Sequence, residues 1–272
     1  MIGAVIGLVI MITSEAATLA RIEPFYSWNT PICWTGFILF ADSIVYRARG
    51  RSWIRSSPRA FVALALLSIP LWLVFEGYNL IIRNWYYTGL PDNRWLRMFG
   101  YAWSFATIWP AIFEGADLIA VWAGWAGRAG GAGAPGAAGS AGAARQASIA
   151  IGIFMLTLPF LVPRDVARYL AAPVWLGFIF LLDPINARLG GDSLMADRHR
   201  TKALLASGLL CGVLWEFWNY WAGAKWHYSV PILEDWKIFE MPVPGYLGFP
   251  PFALECFTMY VFTRLMFQRV GG

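Results

Sequence analysis

Two glutamates sit where chemistry is least expected, inside apolar and strongly aromatic runs. Glu76 lies between Phe75 and Tyr78, with Asn79 three residues on; Glu216 lies among Trp215, Phe217 and Trp218, with Asn219 three residues on. On a helix, that spacing puts each carboxyl and its amide on one face. A neutral carboxylic acid in an apolar pocket is a proton donor. The competing use of the same groups is to bond neighbouring helices together. Glu114 and Glu255 form a second pair, each four residues after a proline, Pro110 and Pro251. Proline removes a backbone donor and can open the helix ladder beside the acid. The direction of travel along the chain predicts that Glu76 meets Glu114, and Glu216 meets Glu255, in one half of a membrane. Asp42 and Asp183, followed by Arg47 and Arg188, read as helix-end ion pairs. Around the four glutamates, Asn79, Asn219, Trp85, Tyr87, Trp215, Trp218, Trp226 and Tyr228 are the candidate ligand contacts. Indole faces can stabilise a carbocation by about 2 kcal/mol when desolvated. The alternative for most of these rings is an aromatic belt at the membrane surface.

The elements that must hold these residues are transmembrane helices. Of 272 residues, 58% are hydrophobic and 14% charged, with sixteen Trp, against roughly 25% charged in soluble domains. Apolar segments long enough to span, or nearly so, run over 2–20, 31–46, 60–82, 101–125, 148–163, 170–187, 202–222 and 246–268. The first lacks a basic leader and an obvious cleavage site, and is expected to be a retained helix. The stretch 128–145 is almost wholly Gly and Ala and reads as a flexible linker.

On either side of that linker one pattern occurs twice. Trp34-x-Gly36-Phe37-Ile38 returns as Trp175-x-Gly177-Phe178-Ile179, and Asp42-x-Ile44-x-x-Arg47 as Asp183-x-Ile185-x-x-Arg188. Glu76-x-x-Asn79 returns as Glu216-x-x-Asn219, Trp85-x-Tyr87 as Trp226-x-Tyr228, and Pro110-x-x-x-Glu114 as Pro251-x-x-x-Glu255. The expectation is an all-α integral membrane protein of about eight transmembrane helices, made as two tandem four-helix repeats, 1–127 and 146–272, joined by 128–145. Four helices per repeat is an even number, so both repeats start on the same side, related by an axis along the membrane normal. Lys and Arg are more numerous on the side of the termini. That places both termini in the cytoplasm, with a bacterial inner membrane as the expected location.

Several functions find no support in the sequence. No basic run is dense enough for nucleic acid, and the net charge of +5 is modest. Cys33, Cys211 and Cys256 fall inside apolar segments without metal-ligand or disulfide spacing. The two histidines, His199 and His227, do not suit a His-rich metal site. No Walker loop, dinucleotide fingerprint or nucleophile elbow is present, so neither a metal nor another cofactor is evident.

Residues 175–262 resemble the lycopene cyclase domain of the small membrane type, found as two subunits or as a fused tandem repeat, and the related membrane carotenoid hydratases. The resemblance is carried by Asp183, the basic stretch Arg198–Lys202, and Trp215-Glu216-Phe217-Trp218. It continues through Gly223-Ala224-Lys225-Trp226-His227-Tyr228 and Gly248-Phe249-Pro250-Pro251 with Glu255. The first repeat matches through Phe75-Glu76 and Trp109-Pro110. A single Glu255 stands where the family has an adjacent pair of glutamates. The resemblance implies a proton-started reaction on a polyene, with no net redox change. Cyclisation or hydration of a carotenoid or other isoprenoid lipid is one expectation, with Glu216, Glu255, Glu76 and Glu114 as the catalytic acids. A transporter or channel using intramembrane carboxylates is another, and a pigment- or lipid-binding subunit of a membrane complex a third. The expected partners are an apolar polyene or isoprenoid ligand and the bilayer; the sequence names no protein partner.

Overall fold

The computed structural model describes residues 1–125 and 138–270. The chain is 77% helical. Its long helices are α1 (Ile2–Leu19), α2 (Phe25–Arg49), α4 (Pro58–Ile82), α5 (Arg94–Trp122), α6 (Ala138–Leu161), α8 (Ala171–Arg188), α9 (Arg198–Trp221) and α10 (Phe249–Val270). Two single-turn helices, α3 (Trp53–Ser56) and α7 (Arg164–Ala167), lie in the connections. Helices α1, α4, α5 and α6 include segments long and apolar enough to cross a membrane, which marks this as a membrane protein. The other four long helices are less apolar because they hold much of the buried polar inventory, including Asn29, Asp42, Asp183, Asn186, Glu216 and Glu255.

Close packing at glycine fixes the helix pairs. A Cβ on Gly7 of α1 would meet the Gly36 carbonyl of α2 at 2.3 Å, so these backbones touch. Helices α6 and α8 are locked similarly, with Gly152 against Leu181 and Gly177 against Leu156. Helix α5 packs along α2, α4 and α9, while α10 packs along α8 and α9. Trp109 donates to the Cys256 carbonyl at 2.8 Å and Phe113 meets Tyr260 edge-on, so α5 and α10 run parallel. Helix α5 continues through Pro110. The Ser68 hydroxyl enters its ladder there, donating to the Phe105 carbonyl and accepting from the Trp109 amide. Pro251 stands in the first turn of α10, where proline needs no break.

Strands appear where loops were expected. β1 (Trp85–Thr88) pairs antiparallel with β2 (Lys225–Tyr228), so segments 140 residues apart form one ribbon with Tyr86 opposite His227 at its centre. A second ribbon, β3 (Lys237–Ile238) with β4 (Met241–Pro242), belongs to the strap 229–248, which ends in a 3-10 turn, Val243–Gly248. We refer to the β1/β2 end of the bundle as the sheet end.

The linker expected over 128–145 is shorter than its composition suggested: α6 begins at Ala138. Alanine is the best helix former, and a run of it extends the helix that follows. Residues 126–137 lie outside the described residues.

Candidate active site

An aromatic cavity of about 490 Å³ opens at the sheet end. Trp72 stands at its centre, with its ring 5.8–6.4 Å from those of Phe75, Trp85, Phe105, Trp175, Trp215 and Phe252. The β1/β2 ribbon forms part of the wall. Alternation along β1 buries Trp85, turns Tyr87 inward and leaves Tyr86 exposed. Trp226 and Tyr228 line the cavity from β2. Outside, Tyr86 stacks on His227 with centroids 5.4 Å apart.

The ribbon is held by the two asparagines. Asn79 donates to the Trp85 carbonyl at 2.8 Å and accepts from the amides of Asn84 and Trp85. Asn219 donates to the Trp226 carbonyl and accepts from the Trp226 amide, both at 2.9 Å. Each side-chain amide mimics a neighbouring strand and docks β1 or β2 onto the preceding helix. Both are therefore spent on backbone, and neither lines the cavity.

Glu76 and Glu216 stand behind the cavity wall and reach it through tyrosines. Tyr87 donates to Glu76 Oε1 at 2.5 Å, and the same oxygen accepts from the indoles of Trp72 at 2.9 Å and Trp85 at 3.2 Å. Tyr228 donates to Glu216 Oε1 at 2.9 Å and accepts from the Trp226 indole at 2.9 Å. Glu216 is fully buried, and its Oε2 has no hydrogen-bond partner. Burial next to Glu216 holds the Tyr228 phenol well above its ordinary range, and burial next to Glu76 does the same for Tyr87.

The expected pairing of Glu76 with Glu114 is not what the structure has. Glu76 lies six residues from the sheet end of α4, while Glu114 lies twenty residues along α5 from that end. At 1.5 Å per residue the two differ in height by about 20 Å. About half of that difference arises because α5 begins at Arg94 rather than near residue 101. Glu114 is buried near Asp42, Asp117 and Arg49, with both carboxyl oxygens unpartnered. Glu216 and Glu255 are also apart: Phe249 at the start of α10 packs against Gly208 and Gly212, so Glu255 lies deeper than Glu216, and it turns to α8, where it accepts from the Phe178 amide at 3.2 Å. Trp215 lines the cavity, whereas Trp218 is buried beside it, 4.8 Å from the Trp34 ring.

The aspartates do structural work, with partners other than those expected. Asp42 accepts from the Ile54 amide at 2.8 Å and pairs with Arg55 at 3.6 Å rather than with Arg47. Asp183 accepts from the Leu194 amide at 2.8 Å and the Ser193 hydroxyl at 3.0 Å rather than pairing with Arg188. A hub that the sequence did not announce is Asp117, which binds Arg49 at 3.2 Å, Arg200 at 2.7 Å and the Trp53 indole at 3.2 Å. It ties α2, α3, α5 and α9 together, and Thr258, 141 residues on, does not flag it. Trp72 was also missed, although its place four residues before Glu76 puts it on the same helical face. At the mouth of the cavity, Glu240 of the strap binds Lys225 at 2.8 Å and His227 at 2.9 Å. Partial burial pushes the Glu240 carboxyl up, but Lys225 and His227 outweigh it and hold the group below the usual carboxylate range.

Among the described residues, no cluster of three His, Cys, Asp or Glu side chains could hold a metal ion. No protein-family model, curated protein or solved structure matches this chain.

Proposed function

We propose that this protein is a membrane enzyme that acts on a carotenoid or other isoprenoid lipid by proton-started cyclisation or hydration. The observation that carries the reading is the pair of carboxyl–tyrosine contacts, Glu76–Tyr87 and Glu216–Tyr228, set in the wall of one apolar aromatic cavity. A cavity of this size accepts a large part of an apolar ligand. A proton delivered to a double bond leaves a carbocation, which indole faces attract. A second carboxyl then removes a proton, either from the cation or from the water that captures it. The mass of the substrate is kept or rises by one water, and no electrons are exchanged with a cofactor.

The same reading treats the chain as two four-helix repeats, 1–127 and 146–272, with all eight long helices crossing the bilayer. The less apolar helices are tolerated because their polar groups face the interior. Support comes from the matching roles of Asn79 and Asn219, the matching loop contacts of Asp42 and Asp183, and a ribbon whose register is symmetric about Tyr86 and His227. The arginine-rich connections put both termini in the cytoplasm, with the cavity in the opposite half of an inner membrane.

Expression in cells that accumulate lycopene, followed by chromatography and mass analysis of the pigments, tests the activity. A product of unchanged mass reports cyclisation, and one heavier by a water reports hydration. Unchanged lycopene beside a folded, inserted protein removes lycopene as the substrate.

A further inference from the structure

The geometry points to a division of labour between the two carboxyl–tyrosine pairs: Glu216 with Tyr228 supplies the proton, Glu76 with Tyr87 takes one back, and Trp72 is the positioning residue that separates them. The inference rests on the proposed proton chemistry and goes further by assigning the two ends of it.

The two half-sites differ at one corresponding position. Four residues before Glu76 stands Trp72; four residues before Glu216 stands Gly212. A Cβ on Gly212 would lie 2.2 Å from carbons of the Phe249 ring, so that place is filled by Phe249 and admits no side chain from α9. Glu76 therefore has an indole donor that Glu216 lacks. The neighbouring tryptophans diverge as well: Trp85 gives its N–H to Glu76, but Trp226 gives its N–H to the Tyr228 hydroxyl. As a result three donors converge on Glu76 Oε1, while Glu216 takes one on Oε1 and none on its buried Oε2. Converging N–H and O–H donors suit an anionic oxygen. A buried carboxyl oxygen without a donor suits one that carries hydrogen, because a charge there would be unshielded.

The step balances as one proton out and one proton in. The Glu216 carboxyl turns to present its Oε2 hydrogen to the Tyr228 oxygen and passes it there, while Tyr228, its own hydrogen turned from Glu216 to the cavity, passes that one to a double-bond carbon. One C–H bond forms from the π pair, and the adjacent carbon becomes cationic. On the other side Tyr87 takes a proton from the cation, or from the water bound to it, and passes its own to Glu76. The broken C–H or O–H bond leaves its electron pair with the product. The cycle closes when the proton on Glu76 returns to Glu216, for which the two tyrosines lie on one face of the ribbon as diagonal neighbours.

Infrared spectroscopy of the full-length protein in lipid nanodiscs at neutral pH, without substrate, reads this directly. The expected carboxylic-acid C=O signal contains a component that Glu216→Gln abolishes and Glu76→Gln retains. Glu114 and Glu255 are present in both variants and cancel in the comparison. Should either glutamine variant fail to fold, Tyr228→Phe and Tyr87→Phe give the same answer. The first shifts that component to higher frequency by removing its one hydrogen bond, and the second leaves it in place. Loss of the component in Glu76→Gln, in neither glutamine variant, or a shift in Tyr87→Phe alone, overturns the assignment. Trp72 is tested by the carboxylate band that Glu76→Gln removes: Trp72→Phe shifts it if Trp72 tunes Glu76, and an unmoved band reduces Trp72 to packing. These spectra need no turnover. A protein that leaves lycopene untouched yet gives the expected spectra fails the substrate reading alone, whereas turnover with the opposite spectra fails the division of labour alone.

Discussion

At the sheet end Glu76 and Glu216 receive hydrogen bonds from tyrosine and indole side chains, whereas at the opposite end Asp42, Asp183 and Asp117 receive theirs from backbone amides, a serine, an indole and arginines. Asp42, Asp183 and Glu216 are buried, and Glu76 and Asp117 are partly so. Their surroundings decide what they can do. An aspartate bound to backbone N–H groups and guanidinium is fixed as a fastener, since moving its charge would strand the donors. A glutamate behind a tyrosine that faces an apolar cavity can exchange a proton without unravelling a loop. The comparison separates acids that hold the bundle from acids that, under the proposed function, serve a ligand.

The sharpest test of that separation is Glu216→Gln. In lycopene-accumulating cells it is expected to cut product formation by about 10²–10⁴-fold, the usual worth of a general acid, while folded yield in detergent stays that of the parent. The reverse pattern, normal product from a poorly folded variant, would merge the two classes. Asp117→Ala comes next. It leaves Arg49, Arg200 and the Trp53 indole without their shared, half-buried partner and is expected to lower stability by about 3 kcal/mol, the cost of stranding several donors at once. Thermal unfolding in detergent measures it. Asp183→Ala strands the Leu194 amide and the Ser193 hydroxyl and is expected to lower stability by about 1–3 kcal/mol, read by the same melt, with the carboxyl–tyrosine pairs untouched.

The smallest effect concerns the strap. The Glu240 carboxyl lies below its ordinary range in the folded protein, so its contribution is complete above the unfolded value of about 4.3. It is lost as pH falls further, through the lowered folded value. The hydrogen-exchange protection factors of residues 229–248, taken against the intrinsic rate at each pH, are expected to be flat above that pH and to fall below it. In Glu240→Gln protection should be lower at neutral pH and should lose the dependence.

The doubled motifs point to residues around the aromatic cavity, because a recurring Glu-x-x-Asn followed by Trp-x-Tyr is a local pattern on one helix end and the strand beside it. What Asn79 and Asn219 do was not legible: a side chain bonding backbone six or seven residues on looks, in sequence, like one reaching for a ligand. The ribbon was hidden because Trp85–Thr88 and Lys225–Tyr228 are four-residue strands whose partner is half a chain away. Periodicity cannot register so short an element. The meeting of Glu76 with Glu114 failed on a helix boundary. The first residues of α5, Arg94 to Gly100, carry two arginines and read as loop, yet Asn93 caps them by accepting from the amides of Trp95 and Leu96. Seven more helical residues move Glu114 about 10 Å deeper.

The ribbon also fixes an order of assembly. β1 emerges early in synthesis, but its hydrogen-bond partner is made about 140 residues later. Such a distant contact cannot form until most of the chain exists. The first half must therefore wait in the bilayer with a bare strand edge, and a ribosome stalled before Lys225 would leave a span-competent fragment with half a pocket. Assembly of the cavity is thus a late checkpoint: the two tyrosines come side by side on the ribbon only once the chain has been made through Tyr228.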